Sequence, residues 1–141
     1  MFDKKYEDRL RAWADFRSQL EFSNDPIQAT IEFYNRAPLV NIQVDPYDEN
    51  TWLDPWTLLR ENNYCNFALI LGIAYTLQLT TRFSDIDFEI HICTNKEKSE
   101  VKYLLYVGNQ VIGYQRDSAV NAEVVPVSYV TEKKYCLPKL Q

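Results

Sequence analysis

The sequence CNFALILGIAYTLQL, residues 65–79, carries apolar side chains on every face of the helix that it predicts. A helix without a polar face is buried on all sides, so we expect this segment to form the centre of the core. The segment is too short to span a bilayer, and Thr76 and Gln78 interrupt its apolar run. Its apolar residues are Phe67, Ala68, Leu69, Ile70, Leu71, Ile73, Ala74, Tyr75 and Leu77.

Alternating hydrophobicity follows this helix and predicts strands. Residues 88–93 alternate between apolar and polar side chains, which is typical of a strand with one face in the core and one in water. Residues 101–107 and 111–115 predict two further antiparallel strands that are joined by a tight turn. Residues 124–130 predict a fourth strand, placed at an edge of the sheet because of Pro126.

Two helices are predicted before the central one. An amphipathic stripe over residues 3–21 predicts the first, with its charged positions, including Arg9, in solvent. The second begins at Asp25 as N-cap with Pro26 at its first position, and a short helix begins after Asp54 in the same way. The residues of the stripe are Tyr6, Leu10, Trp13, Phe16 and Leu20.

Helices that precede a strand meander indicate the α+β class. We expect a single α+β domain over residues 1–141, with a helical pair at 1–37 and a core at 52–130. In this core the buried central helix packs on an antiparallel three- or four-stranded meander.

Composition and charge exclude several function classes. The chain has 141 residues with a net charge of −5, which disfavours non-specific nucleic-acid binding because that binding uses clustered Lys and Arg. The N-terminal residues 1–13 are charged and lack an apolar segment, so we expect no secretory signal peptide. No cofactor-binding glycine loop is visible, and we expect no cofactor and no membrane attachment.

The cysteines point to free thiols. Cys65, Cys93 and Cys136 are widely spaced, and the chain contains one histidine. A structural zinc site needs more ligands at closer spacing, so we expect no metal there. Unpaired cysteines favour a reducing compartment such as the cytoplasm.

Cys65 stands where the predicted central helix begins. Exposed N–H groups and partial positive charge at a helix N-terminus favour the thiolate form of a cysteine. A thiolate with a histidine as base can act as a nucleophile. Free cysteine is also among the most frequently buried residue types, so a structural role for Cys65 stays open.

The segment WLDPWTLLRENNYCNF, residues 52–67, resembles the bacterial transglutaminase-like cysteine proteinases. In that family a Trp-x-x-Pro-Trp-Glu-like run precedes the catalytic cysteine, and a three-stranded meander supplies the histidine and the aspartate. The resemblance covers residues 52–114 and implies a degenerate transglutaminase-like or papain-like fold with Cys65 as nucleophile. The matching residues are Trp52, Pro55, Trp56, Leu58 and Cys65, while Thr57 replaces the usual acidic residue.

The catalytic histidine and aspartate of that family are missing where its pattern requires them. The second predicted strand begins EVKY at residues 100–103, and the third reads IGY at residues 112–114. His91 is the only histidine in the chain and is therefore the only imidazole that could serve Cys65 as base. Strand alternation places His91 on the face of the sheet that points away from the central helix. In that position His91 is better interpreted as a surface histidine than as the base for Cys65.

Two further groups of residues have a structural and a functional interpretation. Trp52, Trp56 and Tyr64 either line a groove for a sugar or a peptide or pack the loop onto the central helix. The acidic residues around the short helix either bind a cation or cap a helix, as Asp54 is expected to do. The segment lacks the central glycine of an EF-hand calcium loop. These acidic residues are Asp45, Asp48, Glu49 and Asp54.

The incomplete catalytic set favours a non-catalytic protein that binds another protein. The chain also resembles the small uncharacterised proteins of large tailed phages of marine bacteria. This resemblance implies an accessory or virion-associated protein in the host cytoplasm or the virion, with a viral or host protein as partner. The alternative is a cysteine-dependent acyl-transfer or amidase enzyme that uses Cys65 and His91. A third interpretation, an acidic mimic of nucleic acid, lacks a visible stripe of carboxylates. The sequence leaves the oligomeric state open.

Overall fold

The computed structural model describes residues 1–41 and 44–140, in which helices come first and strands follow. The predicted α+β class is confirmed. Short 3-10 helices lie at Glu49–Thr51 and Ala122–Val124. The helices are α1 (Tyr6–Leu20), α2 (Pro26–Tyr34), α3 (Pro55–Glu61) and α4 (Asn66–Gln78), and the strands are β1 (Phe88–Asn95), β2 (Glu100–Val107), β3 (Gln110–Ile112), β4 (Val120–Asn121) and β5 (Val130–Cys136).

The helix α4 forms the centre of the main core, as its sequence predicts. Leu71, Ala74 and Leu77 have no exposed surface. They belong to one cluster with Ile90 of β1 and Leu105 of β2, so α4 packs on one face of the sheet. Within residues 1–41 and 44–140, no helix is long and apolar enough to cross a membrane.

The N-terminal helices pack on α4 and are fixed there by polar contacts. Trp13 Nε1 of α1 donates to Thr76 Oγ1 of α4 at 2.9 Å. The Asp25 carboxylate accepts a hydrogen bond from the Gln28 N–H at 3.1 Å, which confirms the predicted N-cap of α2. The Trp13 bond therefore joins α1 to the core, whereas the Asp25 cap fixes where α2 begins.

Arg9 of α1 is buried, whereas its place on the charged side of the stripe predicts a solvated side chain. Its Nε donates to the carbonyl of Leu59 at 3.0 Å, and its second guanidinium arm donates to the carbonyl of Arg60 at 3.1 Å. These carbonyls lie in the last turn of α3, where a helix has no partners of its own for its C=O groups. The guanidinium thus caps α3 and joins it to α1.

The strands form one antiparallel sheet in the order β4-β3-β2-β1-β5. β1, β2 and β3 are the predicted meander, with Ile90 opposite Leu105 and Leu105 opposite Ile112. β5 pairs with the other edge of β1. Over residues 1–41 and 44–140 the sheet therefore has five strands, whereas the sequence predicts three or four.

The strand predicted at residues 124–130 is wrong. The segment contains the end of a 3-10 helix and a turn in which the Tyr129 N–H donates to the Pro126 carbonyl at 3.1 Å. Pro126 has no N–H for a strand ladder, and the strand begins only at Val130. Sequence alternation does not reveal β5, because Tyr135 is its one buried residue at this sheet edge.

The sheet face opposite α4 is partly covered, whereas alternation predicts that water covers it. Cys93, Leu104 and Val111 are buried on this outer face. Tyrosine side chains from β2 and from the segment between β3 and β5 pack over them. The sheet is therefore the middle layer between the main core and a smaller second cluster.

Candidate functional site

Cys65 lies at the N-cap of α4, where the sequence predicts it, and is 5% exposed. It belongs to the main core cluster and lines a cavity of about 360 Å³ together with Val44, Phe67 and Tyr103. Burial raises the pKa of the Tyr103 phenol, so this β2 side chain, which lines the same cavity, stays a neutral hydroxyl. The surroundings of Cys65 are those of a packed thiol.

His91 lies on the opposite face of the sheet from Cys65. It stands across from Leu104, which belongs to the outer cluster, whereas Cys65 belongs to the main core. The Nε2 atom lies 3.1 Å from Glu89 Oε1, and Nδ1 lies 3.1 Å from Thr131 Oγ1. Both ring nitrogens thus have partners on the outer face, and the structure does not bring His91 to Cys65.

Glu89 holds His91 through its carboxylate. The hydrogen bond from His91 and the charge of Lys134, 3.9 Å away, lower the pKa of the Glu89 carboxyl. The Cys136 thiol donates to the same carboxylate at 3.7 Å. The cluster lies on the outer face of the sheet, where the His91 side chain is 14% exposed and its ring packs on Tyr106 at 4.1 Å between centroids.

The three predicted binding aromatics do not form one surface. Tyr64 is fully buried. Trp52 packs its ring on Phe67 at 5.0 Å between centroids, and its Nε1 donates to the Asp45 carbonyl at 3.1 Å. Only Trp56 is strongly exposed, at 49%. These residues mainly attach the 45–64 segment to the core, which is the structural interpretation of the pattern.

Three of the four acidic residues, Asp45, Asp48 and Asp54, accept hydrogen bonds from backbone N–H groups two or three positions later in the chain. Asp54 Oδ1 accepts from the Thr57 N–H at 2.9 Å, which lowers the pKa of its carboxyl, and the predicted cap is confirmed. Asp48 Oδ1 accepts from the Asn50 N–H at 3.0 Å, and Asp45 Oδ1 accepts from the Tyr47 N–H at 2.9 Å. Within the described residues, no group of His, Cys, Asp or Glu side chains is arranged to hold a metal ion.

A groove of about 390 Å³, which we call the α4–β2 groove, lies between α4 and β2. Leu69, Ile70 and Ile73 line it from the helix, and Val101 and Tyr103 line it from the strand. Leu39 lies at its rim with 61% of its surface exposed, and Val101 is 55% exposed. An apolar groove with a few polar groups is the usual form of a binding site.

The groove exists because β3 ends early. β3 pairs only with residues 105–107 of β2. At Gly113 the backbone adopts φ +105°, and a β-carbon there would overlap the carbonyl oxygen of Tyr103. Only glycine fits this position without strain, and the chain then leaves the sheet. The first half of β2 is thus left beside α4 without a strand that would fill the gap.

The sequence prediction missed this groove for a clear reason. The strand predicted at residues 111–115 would have covered the first half of β2, but β3 stops at Ile112. The signal was Gly113, since a glycine inside a strand pattern often marks a bend or a close backbone approach.

Comparison of the chain with protein-family models, with curated proteins and with solved structures found no match.

Proposed function

We propose that the protein is a non-catalytic binding protein that acts through protein–protein contact, with the α4–β2 groove as its binding surface. The observation that carries the proposal is the exposed apolar rim of Leu39 and Val101 above a concave apolar floor. Apolar surface that is exposed and contiguous on a folded protein typically marks an interface.

The chemistry of the groove supports binding over catalysis. Among the described residues that line it there is no histidine, cysteine, serine, aspartate or glutamate. Such groups are the most frequent in acid–base and nucleophilic catalysis, to which lysine and tyrosine also contribute. In the groove, Lys102 Nζ donates to the Tyr114 carbonyl at 3.3 Å, and burial raises the pKa of Tyr34 and of Tyr103, so these phenols stay protonated. The Asn66 amide lines the groove and is suited to hydrogen bonding with a ligand, whereas Asn35 Nδ2 donates to Asp117 Oδ1 at 3.5 Å and Gln115 Oε1 accepts from Ser118 Oγ at 2.9 Å.

We propose a biological context for this interaction from the resemblance of the sequence to small proteins of large tailed phages. In that setting the protein is an accessory or virion-associated protein, and its partner is a viral or host protein. Support for this part comes from the sequence resemblance alone.

A displayed library of random peptides, selected on the intact protein, tests the proposal. Two variants change the rim, Leu39→Asp and Val101→Asp. Two matched controls place the same charge on exposed apolar residues that do not line the groove, Phe22→Asp and Val127→Asp, where the wild-type side chains are 89% and 97% exposed. Circular dichroism checks that all four variants fold.

We expect selected peptides to bind the wild-type protein and both controls and to lose binding to both rim variants. Peptides that bind all five proteins equally, or that bind none of them, would contradict a function of the groove in protein binding.

The alternative function, a cysteine-dependent acyl-transfer or amidase enzyme, is favoured by one observation. Cys65 stands at the start of α4 and lines a cavity of about 360 Å³. The arrangement lacks an imidazole on the same face of the sheet, and general-base help is commonly worth about a hundredfold or more in rate. The reactivity of the Cys65 thiol, argued in the Discussion, distinguishes the two functions.

A further inference from the structure

The charged residues that line the α4–β2 groove are basic, whereas the protein as a whole is acidic. The chain has 15 Lys and Arg against 20 Asp and Glu, which gives a net charge of −5. The charged residues that line the groove in the described part of the chain are Lys102 and Arg116. Neither has a carboxylate within 4.0 Å among the described ion pairs. The Asp117 carboxylate accepts from Asn35 Nδ2, at the end of α2, at 3.5 Å. A ligand with negative charge therefore complements the Arg116 side of this groove.

The nearest carboxylate on β2 is turned away from the groove. Glu100 Oε2 accepts a hydrogen bond from the Tyr129 hydroxyl at 2.6 Å, on the outer side of the sheet. Lys102 crosses to the same side, where its Nζ donates to the Tyr114 carbonyl at 3.3 Å. Arg116 is exposed at the rim, so its guanidinium is the main charged group available to a ligand.

The strand side of the groove is an open sheet edge. β3 pairs with residues 105–107, and Gly113 lies against the Tyr103 carbonyl. In the described part of the chain, residues 100–102 therefore have a strand partner only on the β1 side. An open edge of this kind can accept an added strand, whose backbone pairs with it while alternate side chains enter neighbouring pockets.

We propose that the α4–β2 groove binds an extended acidic peptide segment of a partner protein by strand addition to β2. The peptide backbone lies along residues 100–102, an apolar side chain enters between Leu69 and Ile73, and a carboxylate pairs with Arg116. This inference rests on the proposed function of the groove as a protein-binding surface.

A peptide fits the groove better than a nucleic acid does. The open edge of β2 offers backbone N–H and C=O groups, which match a peptide backbone. The net charge of −5 repels a polyphosphate, and single-stranded nucleic acids need a groove of clustered cations along their backbone.

Fluorescence anisotropy with the intact protein and labelled synthetic probes tests the inference. Three short peptides share the same alternating leucines and isoleucines and differ only in the residue between them, which is glutamate, glutamine or lysine. A fourth peptide carries proline at the centre of the glutamate sequence, and an oligothymidylate of similar length represents nucleic acid. The protein variants are Arg116→Glu, Arg116→Gln and the control Lys5→Glu, at an exposed position outside the groove.

We expect the glutamate peptide to bind about two- to fivefold more tightly than the glutamine peptide, as an ion pair with an exposed arginine allows, and to weaken as salt is added, because exposed charges are screened. Arg116→Glu should lower its affinity about tenfold and Arg116→Gln less, while Lys5→Glu has no effect. The central proline should weaken binding, because it removes an N–H from the added strand.

Equal binding of the glutamate and glutamine peptides, lost in Val101→Asp, would overturn the acidic preference and leave the groove as a protein-binding surface. Unchanged binding of the proline peptide would overturn strand addition. Binding of the oligothymidylate alone would overturn both this inference and the proposed function. Failure of every probe to bind would overturn the inference. The selection of peptides from the random library then tests the proposed function independently.

Discussion

The hydroxyl oxygens of Tyr34 and Thr76 lie 2.9 Å apart in the fully packed space between α2 and α4. Thr76 Oγ1 donates to the Gly72 carbonyl at 2.7 Å, so it accepts from both the Tyr34 hydroxyl and Trp13 Nε1. One threonine oxygen thereby satisfies buried donors from both N-terminal helices. This junction attaches the helical pair to the core that forms the α4–β2 groove.

Thr76→Val should destabilise the protein by about 2–4 kcal/mol, because it leaves the Tyr34 hydroxyl and the Trp13 N–H buried without an acceptor. Thr76→Ser keeps the oxygen and should cost about 1 kcal/mol for the lost methyl group. Urea denaturation followed by tryptophan fluorescence measures both variants. If the valine variant is as stable as the serine variant, the junction does not hold the helices.

Gly113→Ala should destabilise the protein far more than Gly108→Ala. At 113 the added β-carbon meets the Tyr103 carbonyl oxygen at φ +105°, and we expect a cost of about 3 kcal/mol or more. At 108, φ is +57° and no atom lies within 4 Å of the added β-carbon. The left-handed backbone conformation alone should therefore lower the free energy of unfolding, by about 1 kcal/mol. Thermal unfolding of the two variants compares these positions directly, and equal losses would contradict the close approach at Gly113.

The sequence predicts those elements whose conformation depends on residues close to one another in the chain. The buried helix α4, the caps at Asp25 and Asp54 and the β1–β2 hairpin follow from side-chain periodicity and from residues three positions apart. In these elements the residues that decide the conformation are close in sequence, so their pattern is visible without the tertiary fold.

The candidate site depends on contacts that are distant in sequence. The partner of His91 on β5, Thr131, is 40 residues away, and Arg9 caps a helix whose last carbonyls are 50 and 51 residues away. The groove itself arises where β3 stops short of the first half of β2. Gly113 indicates a bend within the strand pattern, but the pattern does not show which residues of β2 the bend leaves unpaired, so the position of the groove could not be predicted.

Alkaline pH should unfold the protein through its buried tyrosines. Burial raises the pKa of Tyr34 and that of Tyr75 to about 12 each, and it also raises the pKa of Tyr64. An unfolded tyrosine ionises at about pH 10, so the stability these groups contribute is complete below about pH 10 and is lost as the pH rises towards about 12. Tyr75→Phe removes one such group, although it also removes the hydrogen bond to the Leu53 carbonyl.

Tyrosinate absorbance and far-ultraviolet circular dichroism, recorded along one alkaline titration, measure this behaviour. We expect the exposed tyrosines to ionise first, and the buried ones to ionise together with the loss of helical signal. Ionisation of all tyrosines near pH 10 with an intact helical signal would show that Tyr34 and Tyr64 are accessible to water.

The three thiols should differ in their reaction with iodoacetamide, and this difference decides between the proposed function and its alternative. Cys136 is exposed, whereas Cys65 is 5% exposed and Cys93 is 1% exposed. Burial also raises the pKa of the Cys93 thiol, which lowers its thiolate fraction at neutral pH. We therefore expect one fast reaction, which Cys136→Ser abolishes, and two slow ones that require local opening or unfolding.

The decisive protein carries Cys93→Ser and Cys136→Ser, so that Cys65 is its one thiol. A packed Cys65 stays unmodified at neutral pH until urea unfolds the chain, and a Cys65→Ala protein then keeps its peptide binding in the α4–β2 groove. A fast reaction in the folded protein, with an apparent pKa well below the value of about 8.5 for a free thiol, would identify an activated nucleophile. That outcome would favour the acyl-transfer enzyme over the binding protein, because a thiol that is buried only for packing has no such reactivity.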